Sequence, residues 1–144
     1  MRIFLDANIL FSAAFSDGAV QRLIKDLKRS ACILVADRYV IEEALRNLSI
    51  HRPEAVSELH EIVKSLTVVP TRLVSAKIPV NIQLPEKDIP VLAGAISSGC
   101  DILMTGDSRH FGQLFGQTVG GVTIRSPVDI ARAVLGAHGV LKSR

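Results

Sequence analysis

Short apolar segments alternate with helix-like segments along the whole sequence, and this alternation restricts the fold more than any other feature. Five runs rich in β-branched and aliphatic residues occupy positions 3–5, 32–36, 67–69, 102–104 and 122–124. Each run is apolar on both faces, which is typical of parallel strands covered on both sides. Because strands that alternate with helices form parallel sheets, we expect an α/β fold, a three-layer α/β/α sandwich around a central, mostly parallel sheet.

The segments between these runs carry apolar residues at the three-to-four spacing of one helical face. They predict helices around residues 20–27, 41–48, 56–66 and 89–96. Pro53 fits the first turn of the third helix and Gly99 fits the end of the fourth, while Ser126 and Pro127 predict the start of a last helix. Residues 71–86 are interpreted as an irregular connection.

Length and composition limit the class of protein. The chain has 144 residues, of which 48% are apolar, so we expect a single domain over residues 1–144. No apolar run reaches the roughly 18 residues of a membrane span, and the chain starts with a strand pattern instead of a signal, so we expect a soluble, cytoplasmic protein. Cys32 and Cys100 are predicted to be reduced core residues. The net charge of +3 is compatible with a polyanionic partner but does not identify one.

Two acidic residues directly follow predicted strands. Asp6 ends the first strand, and Asp107 follows the strand at 102–104. In parallel sheets, ligands bind beyond the carboxyl ends of the strands, so both carboxylates are expected at that edge. Each also has a purely structural interpretation, because Asp6 can cap the following helical segment and Asp107 can be a turn residue after Gly106.

Further acidic residues lie in or beside predicted helices. Asp88 stands at the start of the fourth helix, just before Pro90, where it can simply be an N-cap. Glu42 and Glu43 both lie on the flanks of the apolar face of the second helix, and the periodicity does not choose between them. Four carboxylates at one sheet edge without a basic partner would repel one another and demand a cation. Oxygen ligands select Mg²⁺ or Mn²⁺, an ion suited to hydrolysis of a nucleic-acid backbone.

Four sequence segments, taken in order, resemble the PIN domain family, the nuclease fold of VapC-type toxins and related RNA-processing enzymes. They are FLDANIL at 4–10, VIEEALRNL at 40–48, DIPVLAGAISSGCDILMTGD at 88–107, and the closing strand and helix. The resemblance covers nearly the whole chain. It implies an enzyme that cleaves single-stranded RNA by means of a carboxylate-bound Mg²⁺ or Mn²⁺.

The resemblance also assigns roles to individual residues. It implies that the metal-binding and catalytic acids are Asp6, Glu43, Asp88 and Asp107, with Glu43 chosen over Glu42 by its spacing from Leu48. Asn8 and Thr105 fall on supporting polar positions. Some members have a further acid shortly after the last one, whereas Ser108, Arg109 and His110 follow here. A second metal ion is therefore not expected, and we interpret His110 as a turn residue outside the catalytic set.

The resemblance implies partners as well. The expected function is the toxin of a type II toxin–antitoxin pair, with an antitoxin protein whose C-terminal tail blocks the acidic groove, and homodimers are common in the family. A basic helix flank and one turn residue are candidates for contacts to the RNA backbone, namely Arg22, Lys25, Lys28, Arg29 and Arg109.

Two other functions fit parts of the sequence. A PIN-like module that binds RNA or protein without turnover would keep the same fold. A phosphatase of the haloacid-dehalogenase type would use Asp6 as nucleophile. That group resembles Asp-x-Asp-x-Thr at the first strand end, and here Asn8 and Leu10 replace the second Asp and the Thr.

Overall fold

The strands of the sheet are short and match the apolar runs of the sequence. The computed structural model describes residues 1–71 and 78–136, and within them the sheet contains six strands. These are β1 (Arg2–Leu5), β2 (Ile33–Asp37), β3 (Thr67–Val69), β4 (Ile102–Met104), β5 (Thr118–Val119) and β6 (Val122–Arg125).

The strand order is β3-β2-β1-β4-β6-β5, and every neighbouring pair is parallel except β5 with β6. β1 is central, because Ile3 lies beside Leu34 of β2 on one side and Ile102 of β4 on the other. Residues 3–5 of β1 have no solvent-exposed surface, as a strand covered on both faces requires. The mostly parallel central sheet predicted from the alternation is confirmed.

Seven α-helices flank the sheet among the described residues. They are α1 (Ala7–Phe15), α2 (Ala19–Arg29), α3 (Arg38–His51), α4 (Val56–Lys64), α5 (Ile89–Ser97), α6 (Ser108–Phe111) and α7 (Pro127–Ile130). α1 packs against α2, α3 and α4, so these four helices share one layer. From β3 the chain passes back across the sheet to β4 and then to β6. Because such connections are right-handed, α5 and α6 lie on the opposite face of the sheet.

Local signals explain where several helices begin. Ser126 accepts a hydrogen bond from the Asp129 amide and Pro127 follows it, which confirms the predicted start of α7. Gly99 follows α5 and has a φ of 69°, a backbone conformation that suits glycine after a helix. Beyond α7, residues 131–135 continue as a π-helical segment.

The structure departs from the sequence prediction at several places. Pro53 begins a separate 3-10 turn (Pro53–Ala55) before α4 instead of lying in the first turn of that helix. The second strand begins one residue later than predicted and ends at Asp37. Strand β3 is not covered on both faces, since Val68 is 50% exposed at the edge of the sheet. Strand β5 was not predicted, because its two residues are too short to show periodicity, although Gly120 and Gly121, both with positive φ, form the tight turn of a β5–β6 hairpin.

Residues 78–85 of the predicted irregular connection contain neither helix nor strand, and residues 72–77 lie outside the described part of the chain. Cys100 is buried and Cys32 is partly buried, and both are free thiols, as expected. Within the described residues, the helices are all too short or too polar to cross a membrane.

Candidate metal centre

The polar residues of the site lie where the sheet changes its winding direction. From β1 the chain moves to β2 on one side, whereas from β4 it moves to β6 on the other side. Such a divergence opens a crevice beyond the carboxyl ends of the two central strands. Asp6 follows β1 and Thr105, Gly106 and Asp107 follow β4, so both acidic segments border this crevice.

Asp6 is held by hydrogen bonds on both carboxylate oxygens. Its Oδ1 accepts from the Ala7 amide at 2.7 Å, which makes Asp6 the N-cap of α1. Its Oδ2 accepts from the Thr105 hydroxyl at 2.8 Å and from Asn8 Nδ2 at 3.1 Å. The capping interpretation is therefore correct, and it leaves the carboxylate at the crevice.

Asn8 and Thr105 join the two chain segments that border the crevice. Asn8 Oδ1 accepts from the Gly106 amide at 2.8 Å, and Asn8 Nδ2 also donates to Thr105 Oγ1 at 3.2 Å. The same hydroxyl accepts from the Asp107 amide at 3.1 Å. Thr105 is fully buried, so the network fixes Asp6 relative to the turn that carries Asp107.

Asp88 and Asp107 meet around the ring of His110. His110 Nδ1 lies 2.8 Å from Asp88 Oδ2 and 2.9 Å from Asp107 Oδ2. Neither contact has the angle of a hydrogen bond, and within the described residues Asp88 Oδ2 and His110 Nδ1 have no hydrogen-bond partner. One ligand atom from each of the three residues lies within 4.8 Å of the others. The arrangement leaves buried polar atoms that an ion can satisfy.

Asp88 differs from the N-cap expected at its position. It stands between a 3-10 turn (Glu86–Asp88) and α5, but its side chain caps no amide of the helix. It is only 8% exposed, and this burial raises the pKa of its carboxyl. The interaction with His110 opposes that rise in pKa, and the charge of Asp107 adds to it.

The charges of Asp88 and Glu43 act on the pKa of Asp6. Burial raises the pKa of Asp6 to about 6, the hydrogen bonds from Thr105 and Ala7 oppose this, and the charges of Asp88 and Glu43 raise it further. Glu43 lies on α3 and is partly buried, whereas Glu42 is exposed and pairs with Arg38 at 2.9 Å. Glu43, and not Glu42, is thus the glutamate of α3 that acts electrostatically on Asp6.

Tyr39 is a residue of the site that the sequence did not indicate. Its hydroxyl donates to the Lys87 carbonyl at 2.6 Å, beside Asp88. Burial raises the pKa of Tyr39, and the charges of Glu43 and Asp88 add to the increase. A single tyrosine in a helix gives no periodic or motif signal, so only the three-dimensional arrangement identifies it.

Asp37 is a further buried acid, and its role is structural. It ends β2, is 1% exposed and accepts from the Val40 amide at 3.2 Å as the N-cap of α3. Burial raises the pKa of its carboxyl, and hydrogen bonds from backbone amides oppose this rise. The charges of other acids do not contribute to the shift. Asp37 therefore lies at the same sheet edge without belonging to the acidic cluster.

The basic residues lie on two different sides of the molecule. Those of α2 are exposed, and the C-terminal end of this helix adjoins the start of β2, because the Cys32 amide donates to the Leu27 carbonyl. This is the amino end of the strands, whereas Asp6 lies at their carboxyl end. In that region Arg29 pairs with Asp26, and Lys28 donates to the Ser65 carbonyl. Arg109, in contrast, is exposed on α6 next to His110.

An open groove of about 1160 Å³ is lined by His110, but by none of the four predicted acids. Arg109 and His110 form one end of its wall, and amide side chains are frequent along the rest, including Asn81, Gln83, Gln113 and Gln117. These side chains donate and accept hydrogen bonds without adding charge. The groove can therefore hold an extended polar chain that passes beside His110.

The donor set fits a divalent cation. Carboxylate oxygens are the ligands that Mg²⁺ and Mn²⁺ prefer, and Asp88 Oδ2 is buried without a hydrogen-bond partner in the described part of the chain. The residues that would hold the ion directly are Asp88, Asp107 and His110. Glu43 and Asp88 lie close enough to Asp6 to raise its pKa. Asp6 and Glu43 are not part of the three-residue group.

Comparisons with known proteins agree with this architecture. The sequence profile described as PIN domain matches residues 2–109. VapBC2 from Rickettsia felis, bound to a DNA fragment from their promoter, shares 13% identity at a TM-score of 0.68, over 88% of this chain and 98% of that chain. DNA-bound VapBC from Salmonella typhimurium shares 13% identity at a TM-score of 0.62, over the same shares of the two chains.

A third similar structure is VapC20 from Mycobacterium tuberculosis, a sarcin-ricin loop cleaving toxin. It shares 17% identity at a TM-score of 0.51, over 73% of this chain and 91% of that chain. At these identities the similarity shows a common fold. A search of curated protein sequences gives no match.

Proposed function

Because this chain belongs to the PIN domain family, we propose that it is a metal-dependent endoribonuclease that cleaves single-stranded RNA as the toxin of a type II toxin–antitoxin pair. The observation that carries the proposal is the unsatisfied group around Asp88. Its buried Oδ2 has no hydrogen-bond partner among the described residues, and Asp107 and His110 supply ligand atoms within 4.8 Å. A cation at this point would satisfy all three.

The proposed catalytic acids are Asp6, Glu43, Asp88 and Asp107. When bound, Mg²⁺ or Mn²⁺ would activate a water molecule and stabilise negative charge on a phosphodiester oxygen. Asp88 and Asp107 would hold the ion. Asp6, fixed by Thr105 and Asn8, and Glu43 on α3 would orient water at the crevice, where their negative charges favour the cation.

The groove beside the acids supports an extended RNA strand as the substrate. Its amide side chains can bond to bases and sugars, and Arg109 at its end can contact a backbone phosphate near the ion. The basic residues of α2 lie near the amino ends of the strands, so they would contact only RNA that continues around the molecule. The sarcin-ricin loop cleaving activity of VapC20 supports the same type of substrate.

The similar structures also support a protein partner. Two of them are VapBC complexes, and each covers 88% of this chain. We therefore propose an antitoxin whose tail occupies the groove and covers the neighbouring acids in place of RNA. A homodimer is proposed on the same basis.

The decisive experiment incubates the purified chain with mixed-sequence single-stranded RNA. Reactions contain Mg²⁺, Mn²⁺ or EDTA, and the same series is run with Asp6→Asn and with Asp17→Asn, an exposed aspartate remote from the acids. Cleavage with either ion, its loss in EDTA and its loss in Asp6→Asn alone are expected.

Cleavage that persists in EDTA would contradict the metal-dependent mechanism. Binding of RNA without cleavage under all conditions would instead support the alternative of a non-catalytic module. Cleavage of RNA by Asp6→Asn at the wild-type rate would remove Asp6 from the catalytic set.

A further inference from the structure

His110 lies three residues after Asp107, on a short helix that is fixed at both ends. Asp107 Oδ1 accepts from the His110 amide at 3.1 Å, and Phe111 is fully buried in the core. These two attachments direct the imidazole toward Asp88, and its side chain is 23% exposed. The ring is therefore positioned by the fold and does not project freely into solvent.

The contacts of His110 differ from those of an ordinary histidine–carboxylate pair. In such a pair the ring N–H points at one oxygen, because alignment makes the hydrogen bond strong. Here Nδ1 lies 2.8 Å and 2.9 Å from two oxygens and is aligned with neither. One nitrogen and two oxygens thus converge on a common point instead of bonding to one another.

Two independent observations mark that point as a ligand position. The three donor atoms lie within 4.8 Å of one another. Separately, Asp88, a residue with only 8% of its surface exposed, leaves its Oδ2 without a hydrogen-bond partner among the described residues. A buried carboxylate oxygen rarely remains unsatisfied unless an ion or water completes it.

We propose that His110 Nδ1 is a direct ligand of the divalent cation, together with Asp88 and Asp107, and that it makes the site favour Mn²⁺ over Mg²⁺. The inference rests on the proposed function and adds a nitrogen to a set of oxygens. Mg²⁺ is held by oxygen ligands and water in octahedral geometry, whereas transition ions accept imidazole readily. Adding a ring nitrogen to the two carboxylates therefore shifts the preference toward Mn²⁺.

The test measures metal binding by the full chain without RNA. Titration with Mn²⁺ followed by electron paramagnetic resonance gives the affinity, and competition by Mg²⁺ gives the preference. Pulsed measurements on the Mn²⁺ complex detect hyperfine coupling to a ligand nitrogen. His110→Gln and His110→Asp are compared with His60→Gln, a change at an exposed histidine on α4.

The wild type and His60→Gln are expected to show nitrogen coupling. His110→Gln is expected to lose the coupling and to bind Mn²⁺ about tenfold or more weakly, the usual scale for a disturbed metal site. His110→Asp, an all-oxygen set, is expected to lose the coupling and to shift the preference back toward Mg²⁺. Thermal melting of each variant in EDTA verifies that the fold is retained.

Mn²⁺ bound by the wild type without nitrogen coupling would overturn the inference, as would an unchanged Mn²⁺ to Mg²⁺ preference in both His110 variants. In either case RNA cleavage that still requires a divalent ion would leave the proposed function standing. Absence of all metal binding would overturn both.

Discussion

Asp6 shows how one side chain can serve the fold and the site at once. The carboxylate caps α1 through the Ala7 amide, yet it is only 4% exposed and has Asp88 and Glu43 as electrostatic neighbours. An ordinary cap faces water, where ionisation is inexpensive. Burial here makes the charged form unfavourable, and a bound cation would reverse that effect.

This burial predicts a pH-dependent cost to stability in the absence of metal. The pKa of Asp6 is about 6 in the folded chain, against 3.8 for an aspartate in the unfolded chain. Below pH 3.8 the group is neutral in both states, between the two values only the unfolded chain ionises, and above about 6 both are charged. The free energy of unfolding should therefore fall with rising pH by about 3 kcal/mol through this group.

The measurement is urea unfolding in EDTA from pH 4 to pH 7, for the wild type and for Asp6→Asn. The difference between the two chains isolates the contribution of Asp6, and Asp17→Asn serves as the exposed control. The wild type should lose stability relative to Asp6→Asn as the pH rises. A difference that does not change with pH would contradict the raised pKa.

Helix α3 provides a comparison between adjacent residues on two of its faces. Glu43→Gln removes a charge that acts on Asp6, whereas Glu42→Gln removes one partner of an exposed pair with Arg38. Cleavage of RNA should fall by about 100-fold or more in Glu43→Gln, in line with loss of a group that positions water, and stay within about twofold in Glu42→Gln. The measurement is the initial cleavage rate at saturating Mn²⁺. Equal losses in both variants would contradict the assignment of Glu43.

Helix α5 carries Asp88 at its start and approaches β1 and β2 closely through a glycine. A Cβ at Gly94 would lie 2.8 Å from Asp37 Oδ2 and 3.2 Å from Phe4 Cζ, and both residues are buried. Gly94→Ala should therefore destabilise the chain by about 1–3 kcal/mol, despite the better helix propensity of alanine. The melting temperature should fall by roughly 3–10 °C.

The matched control is Gly112→Ala, whose Cβ meets no atom within 4 Å. Calorimetric melting should show no decrease for this variant. If Gly94→Ala melts at the wild-type temperature, α5 is packed less tightly against β1 than the structure indicates.

The strands and helices and their order follow from local sequence patterns, so this part of the fold could be predicted from the sequence. β1 and β4 are apolar on both faces and lie at the centre of the sheet, so their runs of aliphatic residues identify them directly. β5 could not be found this way, because a pair of residues has no period. Its only signal was the Gly120–Gly121 turn.

The site was predictable in part, for a similar reason. Asp6 and Asp107 follow strands, so topology alone brings them to one edge. The choice of Glu43 came from family resemblance, and its electrostatic effect on Asp6 depends on the rotation of α3. His110 could not be placed beside Asp88 from the sequence, because that contact depends on how α6 packs through Phe111.

At the scale of the whole molecule, basic residues are found near both the carboxyl ends and the amino ends of the strands. Arg109 stands beside the acids, while Lys25 and Arg29 lie on the exposed side of α2 toward the amino ends. Only the first is positioned to contact a phosphate next to the scissile bond. The salt dependence of RNA affinity can therefore show whether the RNA passes Arg109 or follows α2.

In the inactive Asp6→Asn chain, Arg109→Gln should weaken RNA binding severalfold and reduce the slope of log affinity against log salt by about 0.7, the value for one contact to a single strand. The double change Lys25→Gln with Arg29→Gln should have a smaller effect on both quantities. Fluorescence anisotropy in different salt concentrations measures them. A larger effect of the double change would show that RNA follows α2 instead.

The hydrogen bond between Thr105 and Asp6 joins residues 99 positions apart, and β1 pairs with β4 over a similar separation. A contact of this range forms only after a long loop has closed. A chain still being translated therefore exposes Asp6, Glu43 and Asp88 long before it can assemble them into a site. Until residues beyond Asp107 have left the ribosome, the chain carries Asp6, Glu43 and Asp88 without the hydrogen bond from Thr105 that fixes Asp6.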